Sequence, residues 1–361
     1  MEREDLVIVT AHAEFLQAAY AELKQLEPQL REVEELAPGI GLCNVPDAAT
    51  LMQRASATRP IFVRHLAPVQ ETVALANNEE DLGTIAVALA RLPGMRLLEK
   101  GTRFAVQTRF VQGDKSRGER PYSSGQLNRA LAEALAEETG AIESIKKPQI
   151  VVSLLCSMQT AYLGISSAEE NLSSWPGGNR HFAQTDEQIS RAEFKLLEAF
   201  ETFNIDLPAQ GHALDLGAAP GGWTRLLLDA GMTVTAVDPA NLDTRLLRQP
   251  GLEHYRGYAE DYLADALQKH RRFDAIVNDM RMDAREAARL LIQAAPCLQK
   301  EGFIISVFKL PHATLEVDPL LNLREALKIL RTRYSIVQAR QLFHNRQEVT
   351  VVAARPLLSR T

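Results

Sequence analysis

The chain has 361 residues, 46% of them hydrophobic and 24% charged, with a formal net charge of −6. That composition points to a globular chain of two or three domains and excludes a disordered or collagen-like one. No apolar run approaches the roughly 20 residues of a membrane-spanning helix, and the acidic start MEREDLVIVTAHAEF lacks the basic-then-apolar order of a signal peptide. No membrane partner is expected. Cys43, Cys156 and Cys297 lie far apart with no C-x-x-C pair. Neither a zinc site nor a disulfide framework is expected, no metal is, and the cytoplasm is the default location.

Leu6–Thr10 is a β-rich run, and Ala13–Leu26 spaces its apolar residues as a helix does. Arg31–Leu36 and Gly39–Asn44 read as a hairpin joined at Pro38-Gly39. A short helix over Ala48–Ala55 and a strand over Pro60–Leu66 complete a β-α-β-β-α-β order, that of a ferredoxin-like unit. A second block follows: helix Asp81–Leu92, strand Arg103–Val111 and the polar loop Gln112–Tyr122. Helix Gly125–Glu138 comes next, capped by Ser123-Ser124 and stopped before Gly140, then strands Gln149–Leu155 and Thr160–Ile165. Arg96 to Arg129 holds eight basic residues against three acidic ones. Such a face suits a polyanion, although it also suits an ordinary solvated surface. Ser166–Gln184, rich in Ser, Asn and Gly, reads as a linker.

Beyond it, helices alternate with apolar strands. Helix Glu187–Phe203 precedes strand His212–Leu216, helix Thr224–Asp229 and strands Thr233–Val237 and Glu253–Arg256. Helix Asp261–Lys269, strand Phe273–Val277, helix Ala284–Leu298, strand Phe303–Phe308, helix Pro319–Arg331 and strands Ser335–Ala339 and Glu348–Ala353 follow. The expectation is a doubly wound, mostly parallel α/β sheet with one antiparallel strand at its end.

The strongest local signal is ALDLGAAPGGW, residues 213–223. A buried strand ends in Asp215 and Gly217. Ala219 is small, Pro220 stiffens the turn, Gly221 and Gly222 admit a close backbone approach, and a helix starts at once, with Trp223 as a further candidate ligand contact. This is not the G-x-G-x-x-G of a dinucleotide site; it suits a ligand with an amino-acid moiety and no pyrophosphate, such as S-adenosylmethionine. Asp238, 23 residues after Asp215, ends the next strand, where an acid takes both ribose hydroxyls of an adenosine. Tyr258 or Glu260 stands where an adenine edge would lie.

SRAEFKL (190–196), DLGAAPGGW (215–223), VNDM (277–280), SVFKL (306–310) and RQEV (346–349) resemble the FtsJ/RrmJ group of RNA ribose 2′-O-methyltransferases. Their Lys-Asp-Lys-Glu catalytic set falls here on Lys195, Asp279, Lys309 and Glu348. ARQLFHNRQEVTV (339–351), KLPHATLEV (309–317) and FKLLEAF (194–200) are similar to the RlmM-type large-subunit rRNA methyltransferases. That resemblance implies a class I methyltransferase domain over 185–361, a linker over 166–184, and two α+β domains before it: ferredoxin-like over 1–75 and THUMP-like, RNA-binding, over 76–165.

The strand ends independently bring the set to one sheet edge. Asp279 follows the fourth strand and Lys309 the fifth, Glu348 begins an antiparallel strand, and Lys195 sits on a helix able to lean over that edge. Each has an ordinary alternative: a surface lysine, a structural acid, a snorkelling strand-end lysine, an exposed strand glutamate. In the transfer, Lys309 is the base or orients the hydroxyl and loses its proton late. Acting as a base requires a lowered pKa, toward which Lys195 would push. Asp279 would also face the methionine end of the donor. Arg103, Arg109, Lys115, Arg117, Arg120, Arg191 and Arg346 are the candidate RNA-phosphate contacts.

The group usually places an acid after the third strand, where this chain has Tyr258. A base N-methyltransferase is disfavoured because NDMRMD replaces N/D-P-P-Y. A small-molecule O-methyltransferase would leave the N-terminal third without a role. The expected substrate is a cytidine ribose of large-subunit rRNA, with tRNA as an alternative. An RNA-binding or ribosome-assembly protein with an inactive methyltransferase fold is the rival from another class. Oligomeric state is left open.

Overall fold

The computed structural model describes residues 4–111, 120–312 and 318–357. The chain divides into two compact units, residues 1–180 and 181–361, a division that falls inside the stretch expected as a linker. Among the described residues no helix is long and apolar enough to cross a membrane.

The first unit opens with β1 (Asp5–Thr10), α1 (Leu16–Leu26), β2 (Arg31–Ala37), β3 (Ile40–Val45), α2 (Ala48–Thr58) and β4 (His65–Val69). Its sheet runs β2-β3-β1-β4 with every neighbour antiparallel, the order and sense of a ferredoxin-like unit. The strand expected at Pro60–Leu66 starts later, at His65; Ile61 N and Phe62 N donate instead to the Glu22 carboxylate, which takes them off the ladder. A second sheet follows from β5 (Glu71–Ala74), α3 (Glu80–Leu89), β6 (Arg103–Phe110), α4 (Ser124–Thr139), β7 (Ile142–Glu143), β8 (Ile150–Cys156) and β9 (Thr160–Ser167), in the order β5-β9-β8-β6-β7. Because β5 pairs with β9, the second sheet begins before residue 75. Ser123 caps α4 through a capping box with Gln126, and Gly140 closes it with a left-handed φ of 71°. Ile8, Ile40, Leu42, Ala67 and Leu155 form one buried cluster shared by the two sheets.

The second unit holds α5 (Glu193–Phe203), β10 (His212–Leu216), α6 (Gly222–Asp229), β11 (Thr233–Val237), β12 (Leu252–Tyr255) and α7 (Ala259–Gln268). It continues with β13 (Phe273–Asn278), α8 (Ala284–Ala294), β14 (Leu298–Lys309), α9 (Pro319–Arg331), β15 (Tyr334–Arg340) and β16 (Glu348–Pro356). The seven-stranded sheet runs β12-β11-β10-β13-β14-β16-β15. All strands are parallel except β16, which is antiparallel to both neighbours. The antiparallel strand is therefore an insert between β14 and β15 and not the sheet's edge, which corrects the expected placement. It has to be central: Val349, Val351, Val352 and Ala353 are all buried, as only a strand covered on both faces allows. Strand order reverses between β10 and β13, the switch point where open α/β sheets leave a crevice at their carboxyl ends.

Candidate active site

The expected set of four charged residues meets at that edge. Asp279 follows the last residue of β13. Lys309 ends β14 and is the ladder partner of Glu348, the first residue of β16. Lys195 reaches in from the first turn of α5. Lys195 Nζ lies 3.2 Å from Asp279 Oδ2 and 2.8 Å from Glu348 Oε2. Lys309 Nζ donates to Asp279 Oδ1 and, at 2.8 Å, to Glu348 Oε1. Cation and anion alternate around a closed ring of four. The side chains are between 15% and 22% exposed, so the ring is sheltered yet open to a ligand.

The ring sets its own charge state. Burial works against the ammonium of Lys309, but the carboxylates of Asp279 and Glu348 outweigh it and hold the group above its usual value. Burial likewise opposes ionisation of Glu348, and Lys195 and Lys309 outweigh it, so its pKa is lowered. The lowered lysine pKa expected from Lys195 is thus corrected: two adjacent anions act more strongly on Lys309 than one neighbouring cation.

In the glycine loop, Gly217 and Gly221 take φ of 72° and 111°, a region that favours glycine. A Cβ on Gly217 would overlap Met280 Cγ, one on Gly221 would overlap Leu246, and one on Gly222 would overlap Ser190 Oγ. The space in which a Cβ would stand at these glycines is thus taken by the protein's own side chains. Trp223, read as a ligand contact, is only 4% exposed and donates from Nε1 to Ala192 O at 2.8 Å, which anchors α5. Large aromatic rings bury wherever the core offers their one N–H an acceptor. Pro220 O accepts from Asp243 N at 2.9 Å.

Asp215 is 2% exposed and accepts from Thr224 Oγ1 at 2.6 Å. Burial first, then repulsion from Asp279 and Asp238, pushes its carboxyl up to about 7. Asp238 stands half-buried at the end of β11, where Oδ2 accepts from Ala219 N at 3.0 Å and Oδ1 from Ala240 N at 2.8 Å. It closes the loop, and each oxygen keeps acceptor capacity. Ala219 contributes its amide to this link and not its side chain. Tyr258, at the N-cap of α7, is 66% exposed.

The candidate RNA contacts separate into three groups. Arg103, Arg191 and Arg346 are exposed. Lys115 and Arg117 lie outside the described residues. Arg109 and Arg120 are corrections. Arg109 donates to Gly177 O at 2.8 Å, and burial pulls its pKa down to about 10. Arg120 is 8% exposed, donates to Asn77 Oδ1 at 2.7 Å and to Ser157 O, and lies over the Phe110 ring. Both guanidiniums serve the first unit's interior.

Two acids on α5 went unnoticed in the sequence. Glu193, 1% exposed, accepts from Ile189 N at 2.7 Å and Ser190 N at 3.3 Å and pairs with Arg225 of α6. By holding residues 189–190 outside the helix it explains why α5 begins at 193 and not at the expected 187. Its signal was present: Ser190-Arg191-Ala192-Glu193 has capping-box spacing. Glu198 accepts from Phe343 N at 2.7 Å and His344 N at 2.9 Å. With partners 145 and 146 positions away, it carries no local signal.

Residues 188–318 match the family described as FtsJ-like methyltransferase. The chain is 38% identical over 188 residues to a protein of Halorhodospira halophila named Ribosomal RNA large subunit methyltransferase M, covering 50% of this chain and 51% of that protein. It is 33% identical over 247 residues to the protein of the same name from Marinobacter nauticus, covering 63% and 64%. The matched part thus spans between half and just under two thirds of these relatives' length. The crystal structure of TrmN from Thermus thermophilus covers 97% of this chain and 99% of its own at 18% identity and a TM-score of 0.40, too loose a likeness to bear on function. Residues 188–318, in the second unit, are therefore similar to FtsJ-like methyltransferases, in a chain similar to the large-subunit ribosomal RNA methyltransferases named M.

Proposed function

We propose that this chain transfers a methyl group from S-adenosylmethionine to a ribose 2′-hydroxyl of RNA, with a cytidine of large-subunit rRNA as the expected target. The observation that carries the reading is the alternating ring of Lys195, Asp279, Lys309 and Glu348 at the carboxyl edge of β13 and β14, beside the switch point of the sheet. The residues present fit the donor: Asp238 keeps acceptor capacity for ribose hydroxyls, Tyr258 is exposed for an adenine face, and Asp279 offers a carboxylate toward the amino-acid end. S-adenosylmethionine, when bound, supplies an electrophilic methyl carbon.

The remaining work belongs to the chain. A ribose hydroxyl is a weak nucleophile that must first be aligned with that carbon. Lys309, held as a cation, donates to the hydroxyl oxygen and fixes its line of attack. Asp279 and Glu348 keep the ammonium aimed. As its bond to carbon forms, the oxygen becomes a far stronger acid than a carboxylic acid. Its proton then passes late to the Glu348 carboxylate, even though that group's pKa is lowered. This favours the orienting role for Lys309 over a base ready at the outset.

RNA would be held by exposed cations such as Arg96, Lys100, Arg103 and Arg129 of the first unit and Arg191 and Arg346 of the second. A THUMP-like role for the second sheet of the first unit belongs to the same reading. So does a cytoplasmic location, which three buried free thiols suit.

The test is transfer of tritium from labelled S-adenosylmethionine into large-subunit rRNA and into tRNA, with mass spectrometry of rRNA ribose methylation from cells with and without the gene. Label in large-subunit rRNA, at a ribose that loses its methyl without the gene, supports the reading. Label only in tRNA moves the substrate. No label with either RNA, despite donor binding, leaves the inactive assembly protein.

A further inference from the structure

Glu348 does not owe its place to its own strand alone. The residues before it, 341–347, form a tight turn. Leu342 N donates to Asn345 Oδ1 at 2.9 Å, Thr350 Oγ1 donates to the same oxygen at 3.0 Å, and Gln341 Nε2 donates to Arg346 O at 2.9 Å. The turn is fastened on two sides. Toward β14, Leu310 N donates to Gln347 O at 2.9 Å and Gln347 Nε2 to Pro311 O at 3.0 Å, immediately after Lys309. Toward α5, Glu198 anchors it. Its Oε1 accepts from Phe343 N at 2.7 Å, its Oε2 accepts from His344 N at 2.9 Å, and His344 Nδ1 lies 2.7 Å from Oε2.

Glu198 is 6% exposed. Burying a carboxylate is costly unless donors satisfy it, and here those donors come from a single turn. Glu198 also stands three residues beyond Lys195, a spacing that puts both on one helix face. One face of α5 thus carries the ammonium that grips Glu348 and the carboxylate that grips the turn just ahead of it. Phe194, beside Lys195 in the chain, packs its ring 5.3 Å from that of His344 and adds an apolar contact to the same junction.

We infer that Glu198 is a positioning residue for methyl transfer. It ties residues 341–347 to α5 so that Glu348 stands between Lys195 and Lys309, and it touches none of the reacting groups itself. The inference rests on the proposed transfer reaction.

The test uses the full chain with Glu198→Ala and Glu198→Gln. A glutamine keeps one acceptor but turns an N–H toward donor groups, so an intermediate defect is expected. For Glu198→Ala, kcat should fall about 10- to 100-fold. KM for RNA and the affinity for S-adenosylhomocysteine should stay within about 3-fold, since neither site loses a contact. The discriminating measurement is a double-mutant cycle with Glu348→Gln: in that background Glu198→Ala should cost less than about 3-fold. An equal loss in both backgrounds, or an unchanged kcat in a folded Glu198→Ala protein, would overturn the inference. If Glu198→Ala fails to fold, Glu198→Gln is run through the same cycle. If the wild-type chain transfers no methyl group, the reaction reading fails and this inference is decided by the crystal structures of the wild type and Glu198→Gln. A lengthened Lys195–Glu348 pair upholds the positioning role, and an unchanged one overturns it.

Discussion

Lys309 and Glu348 are ladder partners, the last pair of the β14–β16 register, and their side chains meet at 2.8 Å. Antiparallel pairing here places a cation that ends one strand directly beside an anion that begins another, with no intervening loop to tune. Lys309→Ala should therefore lower methyl transfer by at least about 100-fold, because it removes the group proposed to aim the hydroxyl. Affinity for S-adenosylhomocysteine, measured by calorimetry, should remain. Undiminished turnover would take Lys309 out of the mechanism.

The same pair makes a pH prediction. Lys309 has a raised pKa, so its charge persists to higher pH than that of a free lysine and is lost only as pH rises through the raised value. Glu348→Gln removes one of the two anions responsible. The alkaline fall in kcat should then begin at lower pH than in the wild type. The measurement is a kcat–pH profile of both proteins; coincident alkaline limbs would contradict the orienting role of a charged Lys309.

Asp215 predicts a stability effect of the opposite kind. Its native pKa, about 7, lies above the ordinary aspartate value of 3.8, so between those values the native state holds a proton that the unfolded chain releases. This group's contribution to stability therefore falls as pH rises through that window. Asp215→Asn keeps an acceptor for Thr224 and removes the titration. Urea unfolding at pH 5 and pH 8 should show the variant gaining on the wild type with rising pH, by up to about 1.4 kcal/mol per pH unit. A constant difference would show that Asp215 titrates normally.

Arg120 and Arg103 should behave differently although both sit in the basic stretch. Arg120→Met strands the acceptors Asn77 Oδ1 and Ser157 O, at a cost of about 1–3 kcal/mol. It should lower the thermal midpoint and leave the salt dependence of RNA binding unchanged. Exposed Arg103→Ala should do the reverse, reducing the slope of log affinity against log salt by about 1. Swapped outcomes would return Arg120 to the RNA surface.

Gly217→Ala faces two obstacles, a φ of 72° and the Met280 side chain. A loss of about 1–3 kcal/mol is expected from strain and overlap together. Adding Met280→Ala should recover the overlap but not the backbone cost, so the double variant should unfold between the single variant and the wild type. Full recovery would mean that the loop holds no backbone strain at this glycine.

The second unit was legible because its signals are local. Strands His212–Leu216 and Thr233–Val237 and helix Pro319–Arg331 fall where apolar period and punctuation put them, and the glycine-rich turn announces itself. Element boundaries slipped where a distant side chain intervened. Glu22 draws Ile61 and Phe62 off a strand, and Glu193 keeps residues 189–190 out of a helix.

The amino-acid order by itself determined the strand ends that carry Asp215, Asp279, Lys309 and Glu348, because side-chain period and turn residues act over a few positions. Only the tertiary structure decided that β16 inserts between β14 and β15 and so brings Glu348 to Lys309. It also decided which cations are interior, Arg109 and Arg120, and which face solvent, Arg103 and Arg346. The charge on Lys309 belongs to the same class. Burial and Coulomb interaction are sums over neighbours that the chain brings together from far apart, and no window of sequence contains them.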